Sequence, residues 1–125
     1  MRVLLSMTSG ALALVLLTGA AGDMSVATFL GKAERLQKKG PLAMMSPDLK
    51  LLMGEMKGAG KAYRARLDAD KAAGRPPHSC PPAKMAMNSN EVLAHFRSYP
   101  VAERPKISVT TAFGDLSRKR YPCGS

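Results

Sequence analysis

Only three Phe, three Tyr and no Trp occur among the 125 residues, so aromatic rings cannot fill a core of any size. Leu, Met, Ala and Val must supply most of the buried apolar area, and the nine flexible Met side chains suit irregular gaps between helices. No run of alternating polar and apolar residues is long enough for a sheet, which excludes a strand-based core. Acids are scarce too: nine Asp plus Glu face 19 Lys plus Arg, for a formal charge of +10. The acids are scattered, and no two sit at a spacing suited to paired acid and base work. The two cysteines and two histidines show neither Cys-x-x-Cys nor His-x-x-x-His spacing. His78 and Cys80 lie two apart in a Pro-rich stretch, but Cys80 has Cys123 as an obvious covalent partner, which argues against a metal pair or a Cys-His dyad. His95 sits on the flank of a helix's apolar face, where a half-buried structural histidine is expected. Gly54, Gly58 and Gly60 fall inside a helix, where close helix packing explains them better than a phosphate cradle does. Nucleophile, base and charge-stabilising group do not converge, so the expectation is a protein that is not an enzyme and needs no cofactor.

The N-terminus has one charge, Arg2, then an apolar run at residues 11–17 and small residues at 19–22 before the polar Asp23. This is the layout of a secretory signal peptide over residues 1–22, cut near Ala21 or Gly22, which leaves residues 23–125 as one domain destined for the periplasm. The rival reading is an uncleaved anchor, since residues 3–21 could just span a bilayer; the Ser and Thr within them and the small-residue end argue against it. No cysteine in this stretch is available for lipid attachment. Losing Arg2 leaves 18 basic against nine acidic residues. A basic cytosolic domain would suggest nucleic acid, but an exported one rarely meets any, so acidic proteins, lipid head groups and wall polymers are the plausible partners. An even cysteine count in an exported chain is most simply one disulfide, Cys80–Cys123, with a free reactive thiol as the alternative. Closing a loop of about forty residues should contribute roughly 4 kcal/mol.

Everything after the leader has the helical period. Ser25 can cap a first helix with Val26, Phe29, Leu30, Ala33 and Leu36 on its apolar face, stopped by Gly40 and Pro41. Ser46, Pro47 and Asp48 signal the start of a second helix of about 26 residues, ended by Gly74, Pro76 and Pro77. Its main stripe is Leu49, Leu52, Met53, Met56, Gly60, Tyr63 and Leu67. A narrower stripe, Leu51, Gly58, Ala62, Ala65 and Ala69, lies roughly opposite, with Glu55 and Asp70 among the charged residues between. Two apolar sides predict a helix packed on both, at the centre of the bundle, with small residues that would admit a neighbouring helix or a second copy as a homodimer. Asn88 and Glu91 predict a capping box for a third helix with Val92, Leu93 and Phe96 inward. A fourth carries Val109, Ala112, Phe113 and Leu116 inward. The expected fold is all-α, a bundle of about four helices around the long one, with no internal repeat.

From Cys80 onward the chain reads Cys-Pro-Pro, then Asn-Glu-Val-Leu-Ala-His-Phe-Arg-Ser-Tyr-Pro, Val-Ala-Glu-Arg, Val-x-x-Ala-Phe-x-x-Leu and finally Tyr-Pro-Cys. This order resembles the Rap/Tai-type immunity proteins, which protect bacteria from peptidoglycan-cutting toxins delivered by type VI secretion. The likeness covers residues 50–123 and rests on the two cysteine contexts and the Tyr-Pro spacing. The small residues Gly54, Gly58 and Gly60 are similar to that family's Gly-rich central helix. The family often has further cysteines in its first half, where this chain is Leu- and Met-rich. The resemblance implies a toxin inhibitor that occludes the active cleft stoichiometrically, through rigidity and complementary charge.

The contact surface is expected on the polar tethered loops: the linker after Cys80 and the turn holding Arg97, Tyr99, Arg104 and Lys106. The clusters Lys38-Lys39 and Arg118 to Arg120 sit at helix C-termini, where they complement the dipole, and they can also steer an acidic partner. The runner-up is a small envelope stress chaperone of the acid-protective kind, also short, helical and single-bridged, although nine acids make an acid trigger less natural.

Overall fold

In the computed structural model, residues 21–124 are described. All but the last two residues of the expected leader lie outside them. Four helices form: α1 (Val26–Lys39), α2 (Pro47–Ala72), α3 (Ser89–Ser98) and α4 (Val109–Arg120), with short 3-10 turns at Gly40–Met45 and Arg104–Lys106. The fold is all-α, and no strand occurs among the described residues.

Each helix begins where a short polar side chain can take an otherwise unpaired amide. Ser25 accepts from Thr28 N at 3.1 Å, Ser46 from Asp48 N at 3.3 Å, Asn88 from Glu91 N at 2.8 Å and Ser108 from Thr111 N at 3.1 Å. The capping box of α3 is only half made, because the Glu91 carboxylate turns to Arg120 Nε at 3.3 Å, joining the start of α3 to the end of α4. Gly40 and Gly74, with φ of 57° and 68°, end α1 and α2 in a backbone region that costs glycine little.

The core comprises one face of each helix. Val26, Phe29, Leu30, Ala33 and Leu36 of α1 meet Leu52, Ala59 and Tyr63 of α2, Val92 and Phe96 of α3, and Val109, Ala112, Phe113 and Leu116 of α4. Two edge-on ring pairs anchor it, Phe29 with Phe96 at 5.2 Å and Tyr63 with Phe113 at 5.6 Å. At about 1.5 Å per residue, the 26 residues of α2 make a rod of roughly 39 Å, with α1 and α4 packed along it.

The doubly packed reading of α2 needs correcting. Leu51, Ala62, Ala65 and Ala69 are exposed, and Met53, expected inward, is 64% exposed. Glu55 and Asp70, expected in the charged flanks, are both buried. The reason is hydrogen bonding: irregular segments bring bare amides to these carboxylates, and a buried amide needs an acceptor. Glu55 Oε2 accepts from Gly22 N at 2.6 Å and Met24 N at 3.2 Å, and Asp70 from His78 N at 3.2 Å.

The segments entering α1 and α4 lie side by side. Ser25 and Ser108 form an isolated antiparallel bridge; Val26 N donates to Ile107 O, and Val109 N to Met24 O, each at 2.8 Å. The two caps echo each other, Ser-Val-x-Thr in both, with a Ser-to-Thr hydroxyl bond of 3.0 Å in each.

Candidate functional site

The two ends of α2 present different surfaces. Near its C-terminus the linker after α2 is fastened at many points. Ser79, only 2% exposed, hydrogen-bonds Tyr63 OH and His78 Nδ1. Arg64 Nη2 donates to Pro82 O at 2.9 Å, Cys80 N to Tyr121 O at 2.9 Å, and Ala86 N to Tyr121 OH at 3.1 Å. The Cys80–Cys123 disulfide, with Cα atoms 4.9 Å apart, closes the arrangement and ties the linker to the tail beyond α4. A small cleft of about 130 Å³ beside it is walled by Tyr63, Arg66, His78, Thr110 and Asp115. Burial, then the charges of Arg66 and Arg118, hold His78 below the usual histidine pKa, against the pull of Asp115 and Asp70. The hydroxyl neighbour of His78, Ser79, is buried. Among the described residues, no three His, Cys, Asp or Glu side chains gather to hold a metal ion.

Near the N-terminus of α2, an apolar groove of about 520 Å³ opens between α1, α2 and the start of α3. Phe29, Leu36, Leu52, Met53, Met56 and Leu93 line it, with the polar side chains of Gln37, Asn88 and Asn90 at its edges. The 3-10 turn that links its two walls exposes Leu42, Met44 and Met45, the last at 84%. Neighbouring exposed apolar side chains of this size are a common feature of contact surfaces. Sequence periodicity placed Met53 in the core and gave no account of Leu42, Met44 and Met45. The signal was available in the composition: Leu-Ala-Met-Met between two helix-stop and helix-start signals is an apolar turn with no face to hide.

Of the four expected contact residues, Arg97 lies in the last turn of α3 and Tyr99, Arg104 and Lys106 on the connection to α4, and they have different duties. Arg97 and Lys106 are exposed. Arg104 is turned inward, its guanidinium donating to Tyr99 O at 3.0 Å and Arg97 O at 2.9 Å, so that it caps the end of α3. Tyr99 OH donates to Asp115 Oδ2 at 2.7 Å and accepts from His95 Nε2 at 3.0 Å, locking α3 to α4. Burial and the Asp115 carboxylate push the Tyr99 phenol far above the usual tyrosine range, while burial and Lys119 lower His95. His95 thus sits as a half-buried structural histidine.

Charge is unevenly disposed. Asp48, Asp70 and Glu91 are ion-paired, Glu55 is buried against backbone amides and Asp115 takes the Tyr99 hydroxyl. Five of the nine acids are thus engaged by groups of the chain itself, and the net charge is positive because basic residues outnumber acidic ones. No described helix is long and apolar enough to cross a membrane. Compared with protein-family models, curated proteins and solved structures, the chain finds no match in any of the three.

Proposed function

We propose that this chain is an exported, non-catalytic binding protein of the immunity type, which neutralises a peptidoglycan-cutting toxin delivered by type VI secretion by occluding its active site. The open methionine-edged groove carries the reading, because it sits on a body whose far end is stiffened by the disulfide and the Tyr63–Ser79–His78 cluster. A rigid apolar cleft in a basic surface fits a partner that offers an apolar side chain within an acidic rim, with charge speeding encounter and apolar burial slowing release. Arg97 at the end of α3 and Lys106 on the connection to α4, both exposed, add to the steering field. The resemblance to Rap/Tai-type proteins supplies the class of partner. The test is to search the neighbouring genes for an envelope-active toxin and to assay its peptidoglycan hydrolysis: one equivalent of the mature protein should abolish cleavage. Undiminished cleavage at several-fold excess would overturn the proposal.

A second reading is favoured by the exposure of Leu42, Met44 and Met45, which a chaperone-like protein would use to hold unfolded chains. Compactness measured at pH 7 and pH 2 separates the two. An acid chaperone must expand at low pH, and a body that keeps its radius cannot be one of that kind.

A further inference from the structure

Glu55 is a carboxylate 8% exposed on the inward face of α2, and none of the three ion pairs among the described residues includes it. Burying a charge without a counter-charge is costly, and hydrogen bonds from neutral amides offset only part of that. Its shortest contact is the backbone nitrogen of Gly22, at 2.6 Å. That nitrogen lies where the small residues Gly19, Ala20 and Ala21 would present a leader's cleavage signal.

Gly22 is held in place from the other side. Its carbonyl accepts from Thr110 N at 2.9 Å and Thr110 Oγ1 at 3.0 Å, and any Cβ at this position would strike the Thr110 hydroxyl. The nitrogen is thus aimed at Glu55 while α4 holds the carbonyl of the same residue. Ala21, by contrast, lies with its backbone against Gly58, where a Cβ would overlap it, and contributes no hydrogen bond to the pairing with α4.

We infer that the leader is cut between Ala21 and Gly22, and that the α-ammonium group so formed is the missing counter-ion of Glu55. The inference rests on the export reading. Hydrolysis breaks the bond between the Ala21 carbonyl carbon and the Gly22 nitrogen; water supplies a hydroxyl to the carbon and a proton to the nitrogen, which takes one more proton from solvent. A single neutral donor becomes a charged group with three, and the contact becomes a charge-assisted pair. Removal of the leader therefore completes the fold in addition to releasing it. A cut one residue earlier would put the ammonium about 3.8 Å further along the chain and leave a neutral amide on Glu55.

The experiment has two arms. Full-length protein is produced in a bacterium with an intact export pathway, and the mass of the product is measured: a chain starting at Gly22 is expected. Chains starting at Gly22 and at Ala21, released from a fusion, are then melted with and without Glu55→Gln. The substitution should lower Tm by at least about 4 °C more in the Gly22 chain than in the Ala21 chain. An uncut product overturns the export reading and this inference with it. A product starting at Ala21 or Asp23 overturns this inference alone, and so does an equal Tm loss in the two chains. Should Glu55→Gln fail to fold, amine-reactive labelling of the wild-type chains reads the same contact: the Gly22 terminus must react at least several-fold more slowly than the Ala21 terminus, and equal rates overturn the pairing.

Discussion

The Tyr63–Asp70 end of α2 and the Leu49–Met56 end are parts of one helix with opposite finishes. At the first, hydroxyls, carboxylates, a histidine and a disulfide meet every demand of a long irregular linker, so that even a buried serine is satisfied. At the second, leucines and methionines are left in the open around a groove. Polar closure rigidifies because each buried group must keep its partner, whereas an open apolar face is stable only in the sense that nothing compels it to change. The difference places polar closure at one end of the helix and uncovered apolar surface at the other.

That division can be broken most severely by reducing the disulfide or making Cys80→Ala with Cys123→Ala. The loss should be roughly 4 kcal/mol, a Tm drop on the order of 15 °C or more, and hydrogen exchange at 20 °C should rise in residues 73–88 while the amides of α1 stay protected. Equal deprotection of both ends would show that they are not separate. Next in size is Tyr63→Phe, which removes the Ser79 partner while keeping the ring: chemical denaturation should register a loss of about 1–3 kcal/mol.

A smaller effect is set by pH. His78 and His95 both have folded pKa values below 6.5. The unfolded chain therefore binds protons that the folded one refuses as pH drops below about 6.5, so stability falls through that window and is level just above it. Melting curves between pH 7.5 and pH 5 check this, and His78→Gln with His95→Gln should flatten the decline. Smallest of all, Met44→Ser and Met45→Ser should change stability by no more than about 0.5 kcal/mol, since neither side chain is buried. On the proposed function the same pair should weaken partner binding at least tenfold, and unchanged affinity would take the 40–45 turn out of the contact surface. That affinity should also weaken from low to high salt if the basic surface steers association.

Much of the scaffold was legible in the chain because it rests on local rules. Ser25, Ser46 and Asn88 announce their helices, the 3.6-residue period identifies the buried faces of α1, α3 and α4, and two cysteines alone in the chain have one simple pairing. What escaped depends on amides that irregular segments deliver from far away. Glu55 and Asp70 look like surface acids by period, and only the arrival of Gly22, Met24 and His78 explains their burial. The groove escaped for the opposite reason, since an apolar residue signals wanting cover without saying whether the chain itself provides it. Tyr99 and Arg104 were expected to meet a partner; their hydrogen bonds run inside the chain, from Tyr99 to Asp115 and from Arg104 to the carbonyls at the end of α3.

The bridge between Ser25 and Ser108 has a consequence for how the molecule comes into being. Thr110 reaches back across 88 positions to grip Gly22, so the bundle stays unfinished until almost the whole polypeptide has been synthesised. Early segments can coil, but they cannot clasp. On the export reading proposed above, a latch joining these two distant segments would postpone knotting up until the filament has passed the membrane.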